Sequence, residues 1–243
     1  MAFFIGNSFC SLCQKSEADL KSELLLCIDG LKAKGIQLPC SFIQSARTPG
    51  SPYFWTKIPI KNIINGDSLY FKIDLDDLKA HFLNSDYDIM CELSLHAKIY
   101  KLRPDVNAIF HAKSTYINYV INNGLNLVHA EASLILGDIP VIEKTPVSKK
   151  VEEKSYETII SKSCIGEPLR PIRILFLKGN GILSLGACIH ESRAFLEIID
   201  EWAKFNVISH SYNDHVHVLS IDRLRDPGSR YARSIKFGGR VNV

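Results

Sequence analysis

The chain has 243 residues, 46% of them apolar and 23% charged, enough for one large domain or two small ones with a substantial core. A formal net charge of +3 argues against nucleic acid as a partner, and no uninterrupted apolar stretch approaches the length of a membrane span. Seven scattered cysteines form no disulfide framework and suit a reducing compartment. The opening MAFFIG lacks the regions of a signal peptide, so the expected location is cytoplasmic.

Residues 1–15 show little periodicity and read as an arm. A helix is predicted over 16–34. Ser16 caps it with Asp19 at the box position, Leu20, Leu24, Ile28 and Leu31 share a face, and Gly35 stops it. Residues 36–52 read as strand fragments and turns. Strands follow at 53–58 and 68–73, joined through Asn65-Gly66-Asp67, then a short helix at 75–83. A helix over 92–103 ends at Arg103-Pro104, and an apolar strand over 105–111 precedes a helix over 114–123, capped by Ser114 and ended by Gly124. Residues 125–142 are mixed, with a strand at 139–142, and 152–163 has a helical charge pattern.

Further on, apolar runs at 172–177 and 182–185 flank Gly179-Asn180-Gly181, a hairpin signal in its own right. A long helix is expected over 187–205 and a last strand over 216–219. Strands and helices interleave without strict βαβ order, so one α/β domain over 16–220 is the economical reading. A basic tail over 221–243 closes the chain, with Arg223, Arg225, Arg230, Arg233, Lys236 and Arg240. It reads as a solvated tail or a subunit contact. His210, His215 and His217 cluster before it without an evident metal-ligand set.

Four chemically active side chains could meet around the strand at 105–111. Glu92 and His96 are four apart on a helix, and His111 and Lys113 are two apart at a strand end, on one face if the strand continues. Lys113 reads either as an ion-pair partner of Glu92 or, in a bolder version, as a desolvated nucleophile able to form a Schiff base.

The stretch from Glu92 through His96, Arg103-Pro104-Asp105-Val106, Ala108 and His111 resembles the class II aldolase/adducin family, whose pattern is E-x-x-x-H…R-P-D-V-x-A-x-x-H-x-H. Gly124-Leu125, Glu131-Ala132, Leu136-Gly137-Asp138-Ile139-Pro140 and the block from Phe176 to Gly181 follow in the family's order. The resemblance implies a three-layer α/β/α sandwich with a mixed, mainly antiparallel central sheet, assembled as a homotetramer. In the family's enzymes three histidines hold zinc, two from H-x-H and one from N-H-G, and the preceding Glu moves a proton for a phosphorylated sugar.

This chain departs from that pattern at several positions. His111 stays, but Lys113 and Asn180 stand at the other two histidine positions. An ammonium has no lone pair for a metal and an amide oxygen is a poor zinc ligand. The phosphate segments depart too: Met90-Cys91 precedes Glu92, and of the phosphate loop only Ser45 and Arg47 remain. By this resemblance Glu92 is a candidate catalytic residue, joined by Lys113 on its own chemistry, and Ser45, Arg47, His111 and Asn180 are the candidate substrate-binding ones. No cofactor is expected. The reading is a homo-oligomeric protein that binds a small anion or acts as a scaffold, with adducin's head as the precedent. Its alternative is an active sugar-phosphate aldolase or epimerase with zinc or another divalent metal on His111.

Overall fold

The computed structural model describes residues 16–38, 43–58, 69–77, 87–126, 129–136, 139–142 and 172–211. The expected arm, the basic tail, the helices at 75–83 and 152–163, the Asn65 turn and the strand at 216–219 lie wholly or mostly outside them.

Helix α1 (Glu17–Ala33) begins where its sequence says it should. Ser16 Oγ accepts from Asp19 N at 3.3 Å while the Asp19 carboxylate accepts from Ser16 N at 3.2 Å, so two otherwise orphaned N–H groups satisfy each other's residues. Strands β1 (Gln44–Ala46), β2 (Tyr53–Ile58) and β3 (Leu69–Asp74) follow, then helix α2 (Tyr87–Leu102) and strand β4 (Ala108–Ala112). Helix α3 (Thr115–Asn123) is capped by Ser114 and closed by Gly124 at φ 90, a conformation that a side chain would strain. Helix α4 (Ala130–Leu136), strands β5 (Val141–Ile142), β6 (Ile174–Leu177) and β7 (Gly181–Gly186), and helix α5 (Ile189–Ser211) complete the described elements.

The seven strands form one sheet in the order β3-β2-β1-β4-β7-β6-β5. Every neighbouring pair is antiparallel except β5 with β6. Alternation along β4 then divides the core. Ala108, Phe110 and Ala112 point to the side of α1, α3, α4 and α5, where Leu24, Leu31, Leu196 and Trp202 are buried against them. Ile109, with Leu183 and Leu185 of β7, points to the other side, against Leu93, Ala97 and Tyr100 of α2. Helices therefore cover both faces, which is the expected α/β/α sandwich on a mixed, mainly antiparallel sheet. Phe110 and Phe176 are almost wholly buried, and each such side chain contributes about 1.5–3 kcal/mol by leaving water. No described helix is long and apolar enough to cross a membrane.

Four elements differ most from the sequence reading. Helix α2 starts at Tyr87, five residues before the expected start, β4 begins at Ala108 rather than at 105, α5 runs on to Ser211 rather than ending at 205, and α4 forms within the stretch read as mixed. A seven-residue helix offers too few turns to display a period.

Candidate functional site

Residues four apart on a helix lie on one face, and α2 uses that spacing to point Glu92, His96 and Tyr100 at the sheet. All three are buried. Opposite them stand His111 on β4 and Ser45 on β1, strands paired antiparallel to each other. The result is a polar seam between α2 and the sheet, inside an otherwise apolar core.

At one end of the seam, His111 Nδ1 lies 2.6 Å from Glu92 Oε2 and His111 Nε2 lies 2.6 Å from the backbone oxygen of Asn180. Carboxylate and carbonyl both accept, so both ring nitrogens are satisfied only as N–H donors. The His111 ring is wholly buried and the Glu92 side chain 11% exposed, so this end is the one nearest solvent. Gln44 Nε2 donates to the His111 carbonyl at 3.1 Å, fixing the strand beneath the ring.

Asn180 takes part through its backbone, not its amide. Leu177, Gly179 and Gly181 shape that turn: Asn180 N donates to Leu177 O at 2.8 Å, and both glycines have positive φ, 76 and 85. A Cβ on Gly181 would collide with the Ala112 carbonyl and the Lys113 stem. Lys113 follows β4, half-buried, with its backbone paired to Gln37 at 2.7 and 2.8 Å. Glu92 Oε2 meets the His111 ring, and the Lys113 stem packs against Gly181 past the strand end.

The middle of the seam is His96, whose Nδ1 is 2.7 Å from Ser45 Oγ, which is in turn 2.8 Å from the Tyr100 hydroxyl. Burial pushes the His96 ring down to about 4, against the lifting effect of Glu92, with His111 lowering it further. It is therefore neutral near pH 7.

The far end is Arg47, stacked 4.6 Å from the centre of the Tyr100 ring. Its Nε donates to Val106 O and Asn107 Oδ1, and its Nη2 to Arg103 O and Val106 O, at 3.0 to 3.3 Å. Arg103 itself clasps Asp105 with two bonds of 2.7 and 2.6 Å. The Arg-Pro-Asp-Val stretch is thus a turn held by two guanidinium groups, one bidentate on a carboxylate and one on carbonyls. It brings the chain from α2 into β4.

The six sequence-derived candidates thus divide. Glu92, His111 and the Asn180 backbone meet, and Lys113 borders them through Gly181. Ser45 is fully buried and Arg47 is 6% exposed, and their polar atoms bond within the seam. Tyr100 was not anticipated, although its position eight residues after Glu92 continues the same helix face. His210 lies apart, bonded to Tyr119 and Asn126 on the opposite side of the sheet, while His215 and His217 lie outside the described residues.

Metal chemistry fits these donors poorly. Among the described residues no group of three or more His, Cys, Asp or Glu side chains is placed to hold an ion. His111 in this arrangement has no free lone pair to offer one.

The profile of the Class II Aldolase and Adducin N-terminal domain matches residues 61–207. An L-fuculose phosphate aldolase of Methanococcus vannielii is 30% identical over 124 residues, covering 50% of this chain and 62% of that protein. Human gamma-adducin is 23% identical over 155 residues, 62% of this chain and 20% of the adducin. The chain therefore spans less than two thirds of the length of these curated relatives. Among solved structures, the L-fuculose 1-phosphate aldolase from Glaciozyma antarctica superposes with a TM-score of 0.62 at 16% identity, covering 85% of this chain and 79% of that one.

Proposed function

Since this chain belongs to the class II aldolase and adducin family, we propose that it is a member whose zinc and phosphate sites are degenerate and which lacks the family's aldolase activity. It works instead as a homo-oligomeric cytoplasmic scaffold or as a binder of a small anion. One observation carries this reading: the only histidine kept from the expected ligand set has both ring nitrogens tied, to Glu92 and to the Asn180 carbonyl. Lys113 and Asn180 stand at the other two ligand positions. The phosphate residues support it as well, because Ser45 and Arg47 serve the seam between α2 and the sheet. Of the two roles, scaffolding draws more support, since an anion needs donors that are not already occupied.

A second reading is favoured by the relatives' names: a sugar-phosphate aldolase or epimerase with Glu92 as acid/base and a divalent metal on His111, rearranged from its present contacts. A third variant gives the work to Lys113 as a Schiff-base nucleophile or an electrostatic clamp. An aldol-cleavage assay on L-fuculose 1-phosphate, with and without added zinc, separates the first two readings: no turnover in either supports the first. Borohydride trapping with candidate carbonyl compounds, read by peptide mass spectrometry, decides the Lys113 variant. No adduct at Lys113 ends it.

A further inference from the structure

His96 lies wholly inside the protein, and only one of its ring nitrogens is accounted for. Nδ1 meets Ser45 Oγ, and Ser45 Oγ meets the Tyr100 hydroxyl. Nε2 is buried, and among the described residues it has no hydrogen-bond partner. A group in that position carries its full desolvation cost unless something pairs with it.

Counting protons sets the direction of the chain. If His96 donated through Nδ1, Ser45 would donate to Tyr100, and the phenol proton would have no acceptor. Two polar groups would then stand unmatched in a dry interior, the phenol O–H and the Nε2 lone pair. If Tyr100 donates to Ser45 and Ser45 donates to Nδ1, only the Nε2–H is unmatched. The second direction wins on that count. Ionisation of the ring offers no escape, because burial keeps His96 neutral near pH 7. Nε2 therefore carries a proton that needs an acceptor.

A carboxylate stands on the same helix and acts on the same ring. Glu92 stands one turn before His96, where side chains are neighbours, and its Oε2 is already held by His111. We infer that His96 Nε2–H holds one internal water molecule, whose oxygen accepts from the ring and whose protons are offered to the Glu92–His111 end of the seam. Tyr100, Ser45, His96, the water and Glu92 then form one ordered chain of hydrogen bonds from the Arg47 turn to the solvent-facing end. Water suits the position because it accepts and donates at once, and buried waters ordinarily make about three such bonds.

The test uses the wild-type protein with 15N-labelled histidine. Two-bond 1H–15N correlations report the tautomer of each ring, and the His96 signals are those missing from His96→Gln. Should that variant not fold, Ser45→Ala identifies the same ring by the shift of its Nδ1 resonance. The expected result is a single Nε2–H tautomer whose proton shows magnetisation transfer from a long-lived water. An Nδ1–H tautomer overturns the proposed direction of the chain. An Nε2–H tautomer with no transfer from water overturns the water site.

Discussion

Glu92 Oε2 and His111 Nδ1 are 2.6 Å apart, and the far nitrogen of the same ring is equally close to the Asn180 carbonyl. A carboxylate and an imidazole have in this way closed on each other in the place where the family resemblance implies a metal. Removing either member strands the other inside the core. Each of Glu92→Leu and His111→Leu is expected to destabilise the fold by about 3–5 kcal/mol, and the double variant by less than the sum of the two. Urea unfolding of the three variants measures that coupling. Strict additivity would mean that the pair is not the unit described.

Gly181 is the residue that lets the Asn180 carbonyl reach His111. Its φ of 85 and the collision of any Cβ with the Ala112 carbonyl make Gly181→Ala costly on two counts, by roughly 1–3 kcal/mol. Gly179→Ala is the control, since nothing lies within 4 Å of a Cβ there and only the φ of 76 is strained. Thermal unfolding should rank Gly181→Ala well below Gly179→Ala.

The Arg47 guanidinium holds the turn after α2 through carbonyl oxygens. Arg47→Lys keeps the charge but loses the planar fork, so a loss of about 1–3 kcal/mol is expected, with Val106 O and Arg103 O left short of a donor. A phosphate-clamp role predicts the opposite pattern: unchanged stability and weakened binding in a calorimetric titration with inorganic phosphate.

Stability should also depend on pH through His96. Burial lowers its folded value to about 4 from an ordinary 6.5, so between those limits the unfolded chain binds more protons than the folded one. Stability then falls as pH drops from about 6.5 to about 4, by up to about 3 kcal/mol for a shift of this size. Unfolding midpoints at pH 7 and pH 4.5 give the slope. His96→Gln should flatten it; an unchanged slope in that variant would assign the effect to other groups.

Much of the fold was legible because local chemistry and tertiary structure agree. The Ser16–Asp19 capping box, the Ser114 cap and the Gly124 stop each appear where the sequence puts them. The Gly-Asn-Gly turn also joins two antiparallel strands as read. The site was legible only in part. Spacing on α2 placed Glu92 beside His96, but no sequence rule says which partner a buried carboxylate chooses across a helix–sheet boundary. The sequence offered Lys113 as a partner for Glu92, and the structure places His111 at Glu92 Oε2. Ser45 and Arg47 read as anion ligands through the family resemblance, at the position of its phosphate loop. The structure buries both, with Ser45 bonded to His96 and Tyr100 and Arg47 to carbonyls of the turn after α2.

The metal content of the purified protein tests the central proposal most directly. Protein prepared without chelator, dialysed against zinc and then against metal-free buffer, is compared by elemental analysis with His111→Ala. Far less than one zinc per chain in both is the expected result. One zinc per chain in the wild type, lost in His111→Ala, would contradict the account and restore the metal-dependent reading.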